Sequence, residues 1–159
     1  MKTFMDSFYL ETPLGFLKIS TQGHFLTGVS FVEHCENKVP QSIFQEDIAL
    51  QITEYFSLKR KTFQIPIRLT GTVFQQKVWN ALKNIPFGTL TTYKKLAETV
   101  GYSKSYRAVG QAIHHNPIAI VVPCHRVIGQ SGSLTGYASG LERKRYLIDL
   151  EQKFRPASQ

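Results

Sequence analysis

The chain has few cysteines and no long apolar run. Only two cysteines occur among its 159 residues, Cys35 and Cys124, and this number excludes a framework of several disulfides. No segment approaches the roughly 18 apolar residues that a membrane span needs, and the first residues lack the apolar core of a signal peptide. These absences favour a protein of the cytoplasm that has no membrane partner and keeps its thiols reduced.

Acidic side chains are also scarce. Eleven Asp and Glu stand against nineteen Lys and Arg, which gives a net charge of +8 and an isoelectric point near 9.6. Such a surplus of positive charge attracts polyanions. Nucleic acid is therefore the partner that the charge favours, although many basic proteins bind none.

The first part of the chain has the pattern of a small sheet followed by a helix. Residues 7–32 alternate in hydrophobicity between turn signals, which predicts a three-stranded antiparallel meander. Residues 46–57 place Ile48 and Ile52 at helical spacing. The segment "FQIPIRL" is either a short edge strand or an extended linker, because Pro66 cannot donate to a ladder.

The second part is mainly helical. Apolar residues recur at helical spacing in "TVFQQKVWNALKNI", in "TTYKKLAETVG" and in "SKSYRAVGQAIHHNP". The last two helices are short and meet near Gly101, as in a helix-turn-helix. We therefore predict an α/β protein of the α+β type, with a sheet-plus-helix domain over 1–70 and a mainly helical domain over 71–159.

The second helix of this pair has an unusual outward face. A helical wheel places Tyr106, Val109, Gly110 and Ile113 on the inner side. The outer side carries Arg107, Ala108, Gln111, Ala112, His114 and His115. Small side chains would let the backbone approach another surface, and Arg107 would supply charge. An ordinary solvated helix is the alternative.

The stretch "VVPCHRVIG" holds Cys124 between Pro123 and His125. A nucleophilic cysteine needs an adjacent base or a nearby cation. On a strand Cys124 and His125 would point to opposite faces, but a turn after Pro123 would allow them to converge. A buried, unreactive cysteine is the alternative.

Further along, a predicted helix from Leu141 places Lys144, Leu147 and Glu151 in one sector of the wheel. A glutamate on an apolar stripe needs a partner, and a histidine would serve. The alternative is that Glu151 simply frays into water. Four glycines between residues 129 and 140 form a loop before this helix, and such a loop either approaches a ligand or is only a long turn.

These motifs together resemble a known family. The stretches "PCHRVIG", "GSLTGYASGLERKRYLIDLE" and "FGTLTTYKKLAETVGYSKSYRAVGQAIHHNPIAIVV" resemble the O6-alkylguanine-DNA alkyltransferases, which are methylated-DNA–protein-cysteine methyltransferases. The likeness runs from Phe74 to Glu151, whereas the N-terminal part fits only in general shape. The implied fold is a ribonuclease-H-like domain followed by a winged-helix-like one.

The resemblance implies direct reversal of DNA damage without a cofactor. Cys124 would take an alkyl group from O6 of guanine, and from O4 of thymine if that base is also a substrate, in a single irreversible turnover. His125 would act as its base through a water molecule, and Glu151 would orient His125. Tyr93 would lie near the phosphate of the flipped nucleotide and donate a proton toward the departing guanine.

The resemblance also implies contacts to duplex DNA that carries O6-alkylguanine. Arg107 would enter the duplex in place of the flipped base, and Ala108, Gln111 and Ala112 would lie against the minor groove. Asn116 would be a hinge between the DNA-binding helices and the Cys124 segment. The guanine pocket would be lined by Tyr137, Ala138 and Ser139. The protein would be a monomer, and cooperative binding on DNA is left open.

Three features depart from the family pattern. Ser139 stands where relatives often have glycine, which would alter the width of the pocket. His114 and His115 stand at positions that relatives often fill with Arg, Lys or Gly, so part of the charge facing DNA would depend on pH. Cys35 has only His24 and His34 near it in sequence, so we predict no zinc or other metal site.

Three other functions fit part of the pattern. Alkyltransferase-like proteins that bind DNA without transfer lack the cysteine at the position of Cys124. A helix-turn-helix regulator would need polar readers where Ala108, Gly110 and Ala112 stand. A thiol hydrolase would leave the basic charge and the paired helices unexplained.

Overall fold

The computed structural model describes residues 5–154. The chain divides into two compact units, of which the first runs to Leu69 and also contains Pro117–Ala119. The second consists of Thr70–Asn116 and of the residues from Ile120 onward. The three-residue segment of the first unit therefore lies, in the sequence, between the two parts of the second unit.

The first unit is built on a three-stranded antiparallel sheet in the order β1–β2–β3. The strands are β1 (Met5–Thr12), β2 (Gly15–Gln22) and β3 (Phe25–Val32). Two-residue turns join them, with Thr12 paired to Gly15 and Gln22 paired to Phe25. The predicted meander is therefore confirmed, because alternation of buried and exposed side chains specifies both strands and register.

Helix α1 (Ile43–Phe56) covers this sheet. It begins at Ile43, three residues before the predicted start, and the side chain of its N-cap residue Ser42 accepts a hydrogen bond from the Gln45 amide. Ile48, Ile52 and Tyr55 are fully buried, as their spacing requires.

Two short segments complete the edge of the first unit. Ile67 forms an isolated parallel bridge with Leu26, so the "FQIPIRL" segment is extended rather than a full strand. Ile118 forms a second isolated bridge with Val29, whose amide donates to the oxygen of Pro117 across 3.0 Å. The segment 117–119 is thereby held on the backbone of β3.

The second unit contains four helices and a two-stranded parallel ladder among its described residues. The elements are α2 (Val73–Lys83), β4 (Thr91–Thr92), α3 (Tyr93–Thr99), α4 (Tyr106–His114), β5 (Val127–Ile128) and α5 (Leu141–Lys153). A capping box between Thr72 and Gln75 begins α2. Both α2 and α3 pack on α4, which gives the mainly helical domain with a helix-turn-helix that the sequence predicts.

The orientation of α4 corrects the helical wheel at two positions. Ala112, predicted on the outward face, is only 3% exposed, whereas Tyr106, predicted on the inner face, is 55% exposed. The buried stripe consists of Val109, Ala112 and Ile113, and the oxygen of Ala112 accepts a hydrogen bond from Trp79 Nε1 across 2.7 Å. Packing against α2 therefore buries a face of α4 that includes Ala112 and leaves out Tyr106. The spacing of the apolar residues alone does not indicate this rotation of the helix about its axis.

No helix within residues 5–154 is long and apolar enough to cross a membrane.

Candidate active site

Cys124 lies at the start of a single turn of 3-10 helix, Cys124–Arg126, which follows Pro123. In such a turn successive side chains point about 120° apart, because three residues complete one turn. Cys124, His125 and Arg126 can therefore serve different neighbours although they are adjacent in sequence. All three are buried.

The Cys124 thiol is buried near two polar side chains, those of Asn116 and Lys144. Burial raises the pKa of this thiol, while a hydrogen bond with the side chain of Asn116 and the charge of Lys144 oppose that rise. Asn116 also donates from Nδ2 to the oxygen of Val122 across 2.8 Å, so it connects the end of α4 to the segment that carries Cys124. Because burial prevails, this thiol needs a base before it can react as a thiolate.

His125 is paired with Glu151 of α5. Its Nε2 lies 2.6 Å from Glu151 Oε2, and both side chains are almost completely inaccessible to solvent. An ionised carboxylate only accepts hydrogen bonds, so this contact places the imidazole proton on Nε2. The other ring nitrogen, Nδ1, is buried and has no hydrogen-bond partner among the described residues, so in the neutral ring it can accept a proton.

Arg126 holds the same carboxylate from the other side. Its Nε donates to Glu151 Oε1 across 2.8 Å, and its Nη2 donates to Oε2 across 3.0 Å. The amide of Gly88 also donates to Oε1, across 3.0 Å. Glu151 thus accepts from a histidine, an arginine and a backbone amide.

This network fixes the charges of the two acid–base groups. Burial alone would raise the pKa of Glu151, but hydrogen bonds and charge from His125 and Arg126 hold that pKa well below its ordinary value. Burial lowers the pKa of His125, and Glu151 opposes this only in part. The resting state is therefore an ionised Glu151 beside a neutral imidazole.

Tyr93, the first residue of α3, reaches the glycine-rich loop. Its hydroxyl donates to the oxygen of Thr135 across 2.8 Å. Burial raises the pKa of Tyr93, while the bond to Thr135 opposes the rise. Helical spacing in "TTYKKLAETVG" puts Tyr93 on the same face as the core residues Leu96 and Ala97, but the structure leaves it partly exposed, with its hydroxyl in the site.

Lys144 is a site residue whose role the sequence did not reveal. Its Nζ donates to the oxygen of Thr135 across 2.6 Å and lies 3.4 Å from the Tyr93 hydroxyl. Burial lowers the pKa of Lys144 from 10.5 to about 8, while the nearby Cys124 opposes that change. A lysine in the apolar sector of the predicted helix was the available signal.

The loop before α5 supplies one buried side chain to the site. Tyr137 is 9% exposed, and its hydroxyl finds no hydrogen-bond partner within residues 5–154. Burial raises the pKa of Tyr137 well above its ordinary value, so the phenol is a neutral donor. Ala138 is exposed and Ser139 is half-buried, and the oxygen of Ser139 accepts from Arg143.

The exposed face of α4 adjoins this loop. A concavity of about 370 Å³ is lined by Tyr93, Arg107, Gly110, Gln111, His114, Thr135 and Gly136. Ala108 is exposed on the same helix. Of the predicted DNA-binding residues, Arg107 and Gln111 thus line the same concavity as Tyr93, whereas the side chain of Ala112 is buried.

Cys35 is exposed and lies outside this site. Within the described part of the chain, no three His, Cys, Asp or Glu side chains are grouped as metal ligands would be.

Two family models together match most of the chain. Residues 6–69 match the ribonuclease-like domain of 6-O-methylguanine DNA methyltransferase, and residues 73–153 match the DNA-binding domain of the same family.

Individual proteins agree with these matches. The chain is 46% identical over 128 residues to a methylated-DNA–protein-cysteine methyltransferase of Methanosarcina acetivorans, covering 80% of this chain and 82% of the relative. It is 40% identical over 153 residues to that of Mycobacterium bovis, with 93% of each covered. The crystal structure of Mycobacterium tuberculosis OGT in complex with DNA is similar with a TM-score of 0.86 and 40% identity, covering 95% of both chains.

Proposed function

The chain belongs to the 6-O-methylguanine DNA methyltransferase family, and from this premise we propose how its residues perform the reaction. It is a methylated-DNA–protein-cysteine methyltransferase, which binds DNA and repairs O6-methylguanine by direct reversal. The observation that carries the residue assignment is a buried thiol next in sequence to a histidine that keeps one ring nitrogen free.

Cys124 is the acceptor in this proposal. Its sulfur attacks the methyl carbon on guanine O6, so that a sulfur–carbon bond forms as the oxygen–carbon bond breaks. The bond electrons stay on the oxygen, and guanine recovers its ordinary form by taking a proton at N1. To regenerate the cysteine, another nucleophile would have to attack the methyl carbon of the thioether and expel the Cys124 thiolate, a poor leaving group, so each molecule reacts once and irreversibly.

His125 is the base that removes the thiol proton. Its bare Nδ1 accepts that proton through one water molecule, since the Nε2 position is already committed to Glu151. Glu151 then stabilises the imidazolium that forms, in the way that a buried carboxylate supports other histidine bases. The neutral resting state of His125 supports this order of events.

Tyr93 assists the leaving group. A neutral phenol can donate a hydrogen bond to O6 or N3 of the departing base, and the raised pKa of Tyr93 keeps it protonated at neutral pH. During this step its donor would leave the oxygen of Thr135, which Lys144 continues to hold. His125 takes one proton from the thiol and guanine takes one proton at N1, so the reaction neither consumes nor releases a proton overall.

The exposed face of α4 is the DNA-binding surface. Ala108 and Gln111 would face the minor groove, and Arg107 would fill the space that the extruded nucleotide leaves. Extrusion is needed because a stacked base cannot present its O6 substituent to a buried thiol. The concavity that contains both Arg107 and Tyr93 supports this placement.

The extruded guanine would bind between Tyr93 and the loop of Tyr137, Ala138 and Ser139. Asn116 is the hinge residue, because its amide ties the end of α4 to the Cys124 segment. A pocket closed by Ser139 rather than by glycine would be narrower and would disfavour bulky alkyl groups. We also propose that the protein acts as a monomer in the cytoplasm.

The reaction is tested on the DNA. A duplex with one O6-methylguanine is incubated with a limiting amount of protein, digested to nucleosides and separated by chromatography. The proposal predicts that the loss of O6-methyldeoxyguanosine stops at about one per protein molecule. Cys35→Ser should match the wild type and Cys124→Ser should be inactive, whereas continued loss beyond one equivalent would contradict a single-use acceptor.

A further inference from the structure

We propose that Arg126 is a positioning residue of the transfer reaction, which acts through Glu151 to keep the imidazole of His125 in one orientation, in one tautomer and uncharged. This inference rests on the role proposed above for His125. It concerns a buried residue that is not among those proposed to bind DNA.

The geometry of Arg126 is that of a rigid clamp. Its Nε and Nη2 form a fork on the two oxygens of Glu151, and its Nη1 donates to the oxygen of Ile85 across 2.6 Å. A planar guanidinium with three directed bonds cannot rotate without breaking at least one of them. The clamp therefore holds both the position and the tilt of the carboxylate.

The carboxylate of Glu151 has little freedom left. Oε1 accepts from Arg126 and from the amide of Gly88, while Oε2 accepts from Arg126 and from His125. Gln152, the next residue, donates to the oxygen of Gly88 across 3.0 Å. Because Arg126 Nη2 already occupies one side of Oε2, the Nε2 proton of His125 meets that oxygen from a restricted direction, which sets the orientation of the ring.

Arg126 also balances the charge that His125 experiences. Three charged side chains face the imidazole: Glu151, Arg126 and Lys144. The two cations disfavour a proton on Nδ1, whereas Glu151 favours it. If Arg126 were absent, a buried and uncompensated carboxylate would draw a proton onto His125, and the base would be lost before the reaction began.

A purely structural role makes a different prediction. Loss of a structural ion pair would lower stability and slow transfer by the same factor at every pH. Loss of the clamp instead raises the pKa of His125, so transfer should slow most on the acidic side. The pH dependence of the rate therefore separates the two roles.

The experiment is a set of single-turnover transfer rates between pH 5.5 and 9, measured on the O6-methylguanine duplex. Arg126→Met should move the acidic limb of the rate profile to higher pH by about one unit. At pH values below that limb, the transfer rate should therefore fall about tenfold. Arg126→Lys, which keeps the charge and loses the fork, should keep the acidic limb and lower the plateau. In a Glu151→Gln background, Arg126→Met should produce no further shift.

Arg60→Met is the matched control. Arg60 also forms two hydrogen bonds to a glutamate, Glu54, but it lies in the first unit and is partly exposed. Its removal should leave the profile unchanged. An Arg126→Met profile that falls uniformly, without a shift of the limb, would overturn the proposal.

A second measurement needs no variant. Nitrogen-15 NMR of the wild-type histidines should show His125 as a neutral ring, protonated on Nε2 and not on Nδ1, at pH 7. A doubly protonated ring, or a proton on Nδ1, would overturn the proposal even if the Arg126 variants failed to fold. The NMR result does not depend on methyl transfer, so a failure of the proposed function would be recognised separately, by unaltered DNA.

Discussion

Tyr93 and Lys144 converge on one backbone oxygen, that of Thr135. The tyrosine hydroxyl donates to it across 2.8 Å from α3, and the lysine Nζ donates to it across 2.6 Å from α5. The hydroxyl oxygen of Tyr93 and the Nζ atom of Lys144 are themselves 3.4 Å apart. Two helices therefore fix the glycine-rich loop at the same point.

The first prediction concerns the hydroxyl of Tyr93. Tyr93→Phe should lower the single-turnover rate of methyl transfer about 100-fold, because it removes the donor to the departing guanine. Its melting temperature should change little, since Lys144 still holds Thr135. Tyr146→Phe, on the exposed side of α5, is the control. A Tyr93→Phe protein that reacts at the wild-type rate would remove Tyr93 from the mechanism.

The second prediction concerns Gly136, which has a φ of +69°. A Cβ at this position would lie 2.8 Å from the Tyr93 hydroxyl. Gly136→Ala should therefore both destabilise the fold, by about 1–2 kcal/mol from backbone strain, and slow methyl transfer by displacing Tyr93.

Gly132→Ala provides the matched comparison for Gly136→Ala. Gly132 has a φ of +84°, but a Cβ there would meet no atom within 4 Å. Thermal melts of the two variants should show similar losses, while only Gly136→Ala slows transfer. Equal transfer rates in both variants would mean that contact with Tyr93 is unimportant.

The third prediction concerns the pH dependence of stability. Burial lowers the pKa of Lys144 from 10.5 to about 8. Between these values only the unfolded chain binds the proton, so this group makes the fold more stable as the pH rises from about 8 to about 10.5. Below pH 8 the lysine is charged in both states and adds no slope.

Urea unfolding of the wild type and of Lys144→Met should reveal this slope. The difference in free energy of unfolding should move in favour of the wild type between pH 7.5 and pH 10. Lys59, which is exposed, is replaced by Met as the control. A constant difference for Lys144→Met would show that its amine titrates alike in both states.

The fourth prediction tests the orientation of α4 with two alanines. Ala108 is exposed and Ala112 is buried beneath the same helix. Ala108→Leu should leave the melting temperature almost unchanged and weaken binding to duplex DNA, because bulk keeps the helix out of the minor groove. Ala112→Leu should cost about 1–3 kcal/mol by overpacking the core.

DNA binding by fluorescence anisotropy and unfolding by calorimetry separate the two alanine variants. Normal DNA affinity in Ala108→Leu would place the DNA-binding surface elsewhere. Normal stability in Ala112→Leu would mean that the interior beneath α4 has unfilled space.

The sequence predicted the elements better than their orientation. The meander is confirmed because alternation buries Phe8, Leu17 and Ile19 together on one face, although the pairing of β2 with β3 shifts register between Ser20 and Thr21. The prediction of the outward face of α4 was wrong at Ala112, because an alanine is small enough to lie on either the buried or the exposed side of a helix. Its burial depends on α2, which no pattern within α4 describes.

The candidate active site could also be predicted only in part from the sequence, because some of its contacts depend on tertiary packing. Glu151 was detectable because a carboxylate on an apolar stripe is unusual, and the structure pairs it with His125. Arg126 gave no such signal, since an arginine beside a cysteine and a histidine reads as a nearby cation. Its fork on Glu151 depends on how a 3-10 turn meets α5, and that is set by tertiary packing.

The central claim is that Cys124 accepts the methyl group, and intact mass spectrometry tests it most directly. After incubation with a duplex that contains one O6-methylguanine, the wild type and Cys35→Ser should each gain the mass of one methylene and no more, while Cys124→Ser should gain nothing. A wild-type mass that stays unchanged while the duplex remains bound would contradict the claim, and so would a gain that persists in Cys124→Ser.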